Sequence, residues 1–416
     1  MDKYFERVNK IIERINELAA ITEMPNMVTR MYGTEAFIQG RNLVQQWMEE
    51  AGLKTWIDNI GNVRGRFNCG KENAKTLVIA SHIDTVVNAG KWDGPLGVIM
   101  GLDVIENIIS NKTTLTFNIE LIGFADEEGV RFHTAFLGSK AVVGSFDKTW
   151  LNKKDANEID LKSAIETIGG NPEKLNEDSI AKDDWLGYFE IHIEQGPVLW
   201  EKEISAAIVT AIAGQKRVQL TFTGMAGHAG TVPMGMRQDA LCCAAETITA
   251  IEKFGIDNKE NIVATVGKLD VPNAASNVIP GSVICSLDVR SADENILNKS
   301  CEELQKIIEN ICAKRQIELA WELVQSTAPT ICNEDFINLL NNAFQQLNIE
   351  KINLVSGAGH DGVAVAEIAP ICMLFVRCFK GISHNPLENV EAKDISESLK
   401  ISDLFLQNLI NKYQEK

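Results

Sequence analysis

Apolar residues change their spacing several times along this chain, and each change predicts a different element. Phe5, Val8, Ile11, Ile12, Ile15 and Leu18 recur every three or four residues, a single apolar stripe that predicts an amphipathic helix. Thr34 to Ala51 reads the same way, with Thr34 placed to cap its start and Gly52 to stop it. Leu77-Val78-Ile79-Ala80 is apolar without a break, as a strand buried on both faces is. A helix over Leu96 to Ile109 follows Asp93-Gly94-Pro95, then a strand over Phe117 to Phe124 and a helix over Thr134 to Val143. The alternation predicts an α/β domain, a mixed sheet with helices on both faces. Asn152 to Asp184 is polar and contains Gly169-Gly170-Asn171-Pro172. It reads as an insertion with a short helix, because a structureless loop of that length is rare inside a domain.

The rhythm changes near Gly214. Arg217 to Thr223 alternates apolar and polar, the pattern of a half-solvated antiparallel strand. A helix over Asp239 to Phe254, strands over Ile262 to Leu269 and Val283 to Val289, a helix over Ile296 to Lys314 and a strand over Ile317 to Leu323 follow. That order predicts an inserted α+β domain of ferredoxin-like type. After Thr327 helix and strand alternate again: Phe336 to Leu347, Ile352 to Val355, Ile371 to Phe375 and a closing helix over Val390 to Leu409. The expected division is therefore a discontinuous first domain, 1–212 with 328–416, and an inserted domain, 213–327.

Composition and charge narrow the partners. Of 416 residues 45% are apolar and 23% charged, the usage of a soluble globular chain long enough for two or three domains with full cores. The formal net charge is −17 and no Lys/Arg-rich run interrupts it. Such a surface repels nucleic acid and anionic membranes, so neither is expected as a partner. A small anionic substrate stays compatible, since a basic pocket can sit on an acidic protein. The first twenty residues have neither the apolar core nor the cleavage site of a secretory signal. No stretch reaches the roughly 18 apolar residues of a membrane span. The nine cysteines are scattered and form no CxxC pair, which suits a reducing, cytoplasmic compartment.

Candidate chemistry lies at the strand ends. There are six histidines, and five fall where apolar runs end or turns begin. "SHIDTVVNAGKWDGPLG" places His82 and Asp84 after a buried strand and Asp93 before a Gly-Pro turn. "ADEEGVRF" adds Glu127 and Glu128, "IHIEQGP" adds His192, Glu194 and Gln195, and "GISHNPLE" adds His384. In such sheets ligands gather outside the carboxyl ends of the strands. Imidazole and carboxylate without thiolate suit Zn²⁺, Mn²⁺ or Co²⁺. Three imidazoles and two carboxylates exceed one tetrahedral zinc and match two cations that share a carboxylate. Asp84, two residues after His82, is placed to accept the second imidazole N–H. Glu127 and Glu128 point to opposite sides, so one can bind a cation while the other takes a proton from water.

Taken singly, each of these residues has an ordinary explanation. A lone histidine is more often a hydrogen-bonded structural residue, and an acidic pair is more often a solvated turn. Arg290 at a strand end could serve against edge-to-edge aggregation. "SGAGHDG" lacks the Lys-Ser/Thr of a phosphate loop. What outweighs these readings is the joint occurrence of metal-type residues at four strand ends with a spare carboxylate beside them.

The blocks quoted above, together with "GHAGTVPMGMRQDA" and "SGAGHDG" and in that order, resemble the M20-type amidase/hydantoinase–carbamoylase family over nearly the whole chain. The family contains N-carbamoyl-L-amino acid hydrolases, β-ureidopropionases and allantoate amidohydrolases. "AGLKTWIDNIGNVRGR", "VNAGKWDGPLGVI" and "DEEGVRFHTAFLGS" are similar to the allantoate subgroup in particular. Two positions depart from the usual pattern, Gly362 in place of Ala and Trp92 in place of Tyr or Phe, and neither belongs to the ligand set.

The resemblance implies two divalent metal ions per subunit, Zn²⁺ or Mn²⁺, with Co²⁺ of the same donor preference. It implies His82 and His192 on the first, Glu128 and His384 on the second, and Asp93 between them. Glu127 would be the general base. Gln195 and His360 would face the substrate, Asn277 and Arg290 would hold its carboxylate, and His228 would donate to the oxyanion, from across a dimer interface. The inserted domain would act as a lid and pair two copies into a homodimer, with hinges near 212–214 and 327–330. The implied reaction is hydrolysis of a ureido C–N bond in a small carboxylate-bearing substrate. Allantoate is the first expectation and an N-carbamoyl-L-amino acid the alternative. Beyond these stand a metallopeptidase on the same scaffold and a non-catalytic binding protein, the latter disfavoured by the intact Glu127.

Overall fold

A computed structural model describes residues 3–414; the two residues at each extreme of the expected first domain lie outside that range. The chain forms two units, Met1–Thr210 with Cys332–Lys416, and Ala211–Ile331. Where it returns to the first unit, the Cys332 N–H donates to the Thr210 carbonyl at 2.9 Å.

The strands of the first unit are β1 Lys54–Ile57, β2 Val63–Phe67, β3 Thr76–His82, β4 Asn118–Phe124, β5 Trp185–Ile193, β6 Ala206–Ile212, β7 Asn353–Ser356 and β8 Ile371–Val376. They run β1-β2-β4-β3-β5-β8-β6 across the sheet, and β7 pairs with β6. β3 is parallel to β4 and β5, and β5 to β8, whereas β2 and β6 are antiparallel to their inner neighbours. The parallel centre explains the unbroken apolar runs, because every residue of β3, β5 and β8 is buried. Helix Pro95–Ser110 carries the chain from β3 to β4. It opens with Pro95 at its first turn, where a missing N–H costs nothing. Helices Lys3–Ala19, Pro95–Ser110, Glu334–Leu347 and Ala392–Gln414 pack on one another. Arg7 ties three of them by pairing with Asp103 at 2.7 Å and with Asp403.

Most expected elements are present, with shifted ends. Thr34 caps helix Glu35–Glu50 by accepting from Phe37 N. The helix expected from Thr134 starts only at Leu137, because His133 and Phe136 adopt left-handed backbone with φ of 52° and 66°. In the insertion, Asp160 caps helix Leu161–Thr167, and the Asp178 carboxylate accepts from Asn59 N and Ile60 N, which pins the segment to the β1–β2 turn.

The second unit is an antiparallel sheet with strands Leu269–Asp270, Ser282–Ser291, Gly214–Thr223 and Glu318–Thr327 side by side, and Val263–Thr265 also on Ser282–Ser291. Helices Ala240–Asp257 and Glu294–Arg315 cover one face over Val218, Leu220, Phe222, Val283, Cys285, Leu287 and Val289. The strand expected over Ile262 to Leu269 is two short pieces. Between them the Lys268 N–H turns to the Ser286 hydroxyl, 3.1 Å away. A separate two-residue ladder sets His228 opposite Val278. Among the described residues no helix is long and apolar enough to cross a membrane.

Candidate metal centre

The carboxyl ends of the parallel strands deliver the expected residues to one place. His82 is the last residue of β3 and His192 the penultimate residue of β5. Glu127 and Glu128 lie in the turn just past β4, and His384 lies in the loop after β8. The turns that aim these side chains use left-handed backbone at non-glycine residues: Asp126 (φ 55°), Gln195 (φ 56°) and His384 (φ 54°). Each such position costs on the order of 1 kcal/mol or more and persists only where the surroundings enforce it.

Asp93 stands at the middle. Its Oδ1 lies 3.4 Å from His82 Nε2 and 3.1 Å from His192 Nε2. Its Oδ2 lies 3.3 Å from His384 Nε2, which in turn is 3.4 Å from Glu128 Oε1. Donor atoms of His82, Asp93 and His192 fall within 4.8 Å of one another, as do those of Asp93, Glu128 and His384. Two donors bound about 2.1 Å from one cation at tetrahedral or octahedral angles are about 3.0–3.4 Å apart, so these spacings are those of a coordination shell. The residues therefore fit two cations sharing Asp93. Its Oδ1 is buried and accepts no hydrogen bond, an orphan that a cation would satisfy.

The electrostatics point the same way. Burial alone would raise the pKa of Asp93, yet the imidazoles of His192, His384 and His82 crowded against its two oxygens hold it well below the usual carboxylate range. Burial would lower that of His82, but the close Asp93 carboxylate and the charges of Glu127 and Asp84 drive it well above the ordinary imidazole value. Glu128 is pushed up to about 7 by burial, with Asp93 and Asp84 adding repulsion against the pull of His82 and His384. Glu127 is raised well above the carboxylate range by burial, against the pull of His82 and with added repulsion from Glu128, Asp361 and Asp84. So many acids in one buried site call for added positive charge.

Supporting contacts differ in part from expectation. His82 Nδ1 meets the main-chain carbonyl of Asp84 at 3.1 Å, while the Asp84 carboxylate is 3.7 Å away. That carboxylate instead accepts from Glu127 N at 3.1 Å and Glu128 N at 3.2 Å. Asp84 thus orients the imidazole through its backbone and the acidic pair through its side chain. His192 Nδ1 donates to the Ile193 carbonyl at 2.9 Å, which turns Nε2 toward Asp93. Gln195, expected to face substrate, has its Nε2 on Asp93 Oδ2 at 2.8 Å. Glu194 holds the turn by accepting from Val198 N and Leu199 N, both at 2.8 Å. His360 is buried, bonds Ser356 Oγ through Nε2 at 2.8 Å, and sets its ring edge-on to His192 with centroids 4.5 Å apart. Burial and the neighbouring His192 keep its pKa well below the ordinary value.

Two supporting residues escaped the sequence reading. Ser383 donates to Asp93 Oδ2, and the buried Glu388 accepts from Trp92 N at 2.7 Å and Asp93 N at 3.0 Å. Both lie in "GISHNPLE", one before and four after His384. An acid shortly after a histidine was the available signal.

The turn before Pro95 leaves no room for a side chain. Gly94 has φ 81°, and a Cβ there would sit 2.4 Å from His82 Cε1. We expect Gly94→Ala to displace His82, to lower the bound-metal content, and to cut kcat/KM by about a hundredfold. Metal analysis with steady-state kinetics checks this. Full metal content and wild-type rates in the variant would show that His82 holds no cation.

His228, Asn277 and Arg290 belong to the second unit. There the Asn277 carbonyl accepts from Ala229 N at 2.9 Å, so the chain segments of His228 and Asn277 are adjacent. Gly230 N donates to His228 Nδ1 at 3.0 Å. In the neutral ring the proton is then on Nε2, which is left as the donor. His228 and Asn277 are exposed. Arg290 is chelated by Asp288, Nε on Oδ1 at 2.9 Å and Nη2 on Oδ2 at 3.1 Å.

A mixed sheet with an acid- and histidine-lined centre at its strand ends, interrupted by a separate α+β unit, is the layout of a hydrolase. Residues 78–408 match the profile of peptidase family M20/M25/M40. Allantoate deiminase 1 of Glycine max is 36% identical, over 96% of this chain and 89% of its own. An N-carbamoyl-L-amino-acid amidohydrolase of Pseudomonas sp. (strain NS671) is 37% identical, over 95% and 96%. A crystal structure of an amidase of the hydantoinase/carbamoylase family from Burkholderia multivorans superposes with a TM-score of 0.90 at 30% identity, over 96% and 97%. The chain belongs to the M20/M25/M40 family, as its sequence blocks imply, and is a hydrolase of C–N bonds.

Proposed function

We propose that this enzyme hydrolyses the ureido C–N bond of allantoate, giving ureidoglycine, ammonia and carbon dioxide with one water consumed. The observation that carries the reading is Glu127, a buried carboxylate beside His82 and Glu128 that is left over once Asp93, Glu128 and three imidazoles are assigned to cations. Two divalent cations, Zn²⁺, Mn²⁺ or Co²⁺, held by His82, Asp93, His192, Glu128 and His384, supply Lewis-acid activation of water and carbonyl when bound. Glu127 takes the proton of the attacking water and passes it to the leaving nitrogen. His228 Nε2–H donates to the oxyanion. Asn277 and Arg290 hold the substrate carboxylate, and Gln195 keeps Asp93 oriented beside the substrate. Relatives named allantoate deiminase support this substrate. The relatives named N-carbamoyl-L-amino-acid amidohydrolase favour a second reading, decarbamoylation of an N-carbamoyl-L-amino acid by the same residues. The working form in this proposal is a cytoplasmic homodimer paired through the inserted unit, which the nine free thiols suit.

A substrate panel on chelated and reloaded enzyme tests it. Chelation should abolish turnover, and Mn²⁺, Zn²⁺ or Co²⁺ should restore it. Ammonia release from allantoate should then exceed decarbamoylation of N-carbamoyl-L-amino acids in kcat/KM. The reverse ranking transfers the assignment to the second reading, and dipeptide hydrolysis above both would remove each.

A further inference from the structure

In the second unit, side chains inward on Gly214–Thr223 and Ser282–Ser291 meet the helices, and the alternate residues form a polar plate on the other face. Antiparallel register sets Arg217 opposite Asp288 and Gln215 opposite Arg290, and Gln325 opposite Arg217 on the next strand. Asp288 is the common acceptor. Its Oδ1 takes Arg290 Nε at 2.9 Å, and its Oδ2 takes Arg290 Nη2 at 3.1 Å, Arg217 Nε at 3.1 Å and the Gln215 amide. Arg217 is steadied from its far side by Gln325 Oε1 at 3.2 Å.

We propose that Arg217 is a specificity-determining residue: by sharing Asp288 with Arg290 it leaves the three-residue cluster Arg217–Asp288–Arg290 with one net positive charge, matched to a substrate bearing a single carboxylate. This rests on the reading of Arg290 as the group that meets that carboxylate. Paired with Asp288 alone, Arg290 would form a neutral couple, and an arriving carboxylate would meet its repulsive acid as well as its attractive base. Two guanidiniums around one carboxylate restore the attraction. The side-on chelate also fixes the guanidinium plane, so little side-chain entropy is lost on binding. Asp288 is suited to this constant role. Burial would raise its pKa, but hydrogen bonds from Arg290, Gln215 and Arg217 keep it below the usual carboxylate range.

The experiment compares wild type, R217Q, R217K and R290Q as metal-loaded full-length enzyme. It reads KM and kcat for the carboxylate substrate and the inhibition constant of its neutral carboxamide counterpart. R217Q should raise KM by about fivefold, the upper range for an exposed charge contact, with kcat and the carboxamide constant unchanged. R217K should remain near wild type, since the charge is kept. An unchanged KM in R217Q, an equal loss toward both ligands, or an R217K as poor as R217Q overturns the inference. R290Q separates the levels: if it too leaves KM unchanged, the underlying reading of Arg290 falls. If R290Q raises KM while R217Q does not, only the role of Arg217 falls.

Discussion

Glu127→Gln should lower kcat by about a thousandfold, within the range that a positioned general base supplies, while metal content and melting temperature stay at wild-type values. The amide keeps the size of the side chain and cannot take a proton. The Glu127 N–H would still donate to Asp84, so the turn beside it is retained. Burial already disfavours the charged form of this carboxylate, so a neutral amide of the same size is tolerated there. A fall in activity with intact folding therefore reports chemistry. The acid limb of the pH–rate profile should vanish in whatever slow turnover remains. Turnover at the wild-type rate in a fully metal-loaded sample would remove Glu127 from the mechanism.

Asp93→Ala should have the larger consequence for the centre itself: loss of bound metal, and activity below detection. Three imidazole nitrogens lie within 3.4 Å of its two oxygens. Without that carboxylate, His82 and His192 lose the oxygen that stands between them, and His384 keeps only Glu128 nearby. Each half-site drops from three protein ligands to two. The surrounding fold should survive, since the Asp93 N–H remains on Glu388. Elemental analysis after dialysis, with calorimetric metal titration, measures the effect. Retention of two equivalents of metal by the variant would show that Asp93 does not bridge.

The two largest effects fall on residues that the sequence already marked, and the reason is physical. Buried parallel strands are uniformly apolar, so a histidine or acid that ends such a run stands out, as His82 and His192 do. The partners that hold these groups were harder to see. Glu388 and Ser383 act on Asp93 from nearly three hundred residues away in the chain, and no local periodicity records such a contact. Asp84 was recognised by its spacing, but spacing could not tell that its carbonyl would meet His82 and its carboxylate the Glu127–Glu128 amides. The late start at Leu137 was hidden for another reason: left-handed backbone at His133 and Phe136 is imposed by the surrounding fold and contradicts the preference of those residues. In the inserted unit the alternation of Arg217 to Thr223 was legible, while its polar face gained a meaning only when register set Arg217 beside Asp288.

The position of β8 bears on how the molecule is made. This strand lies between β5 and β6, yet it leaves the ribosome after the whole inserted unit. Until residue 376 has emerged, β5 and β6 each present an open edge, the surface on which nascent chains stick to one another. His384 follows only eight residues later, so a chain stalled or cut short of this point is both aggregation-prone and chemically incomplete. Insertion in mid-sheet thus ties solubility during synthesis to completion of the centre.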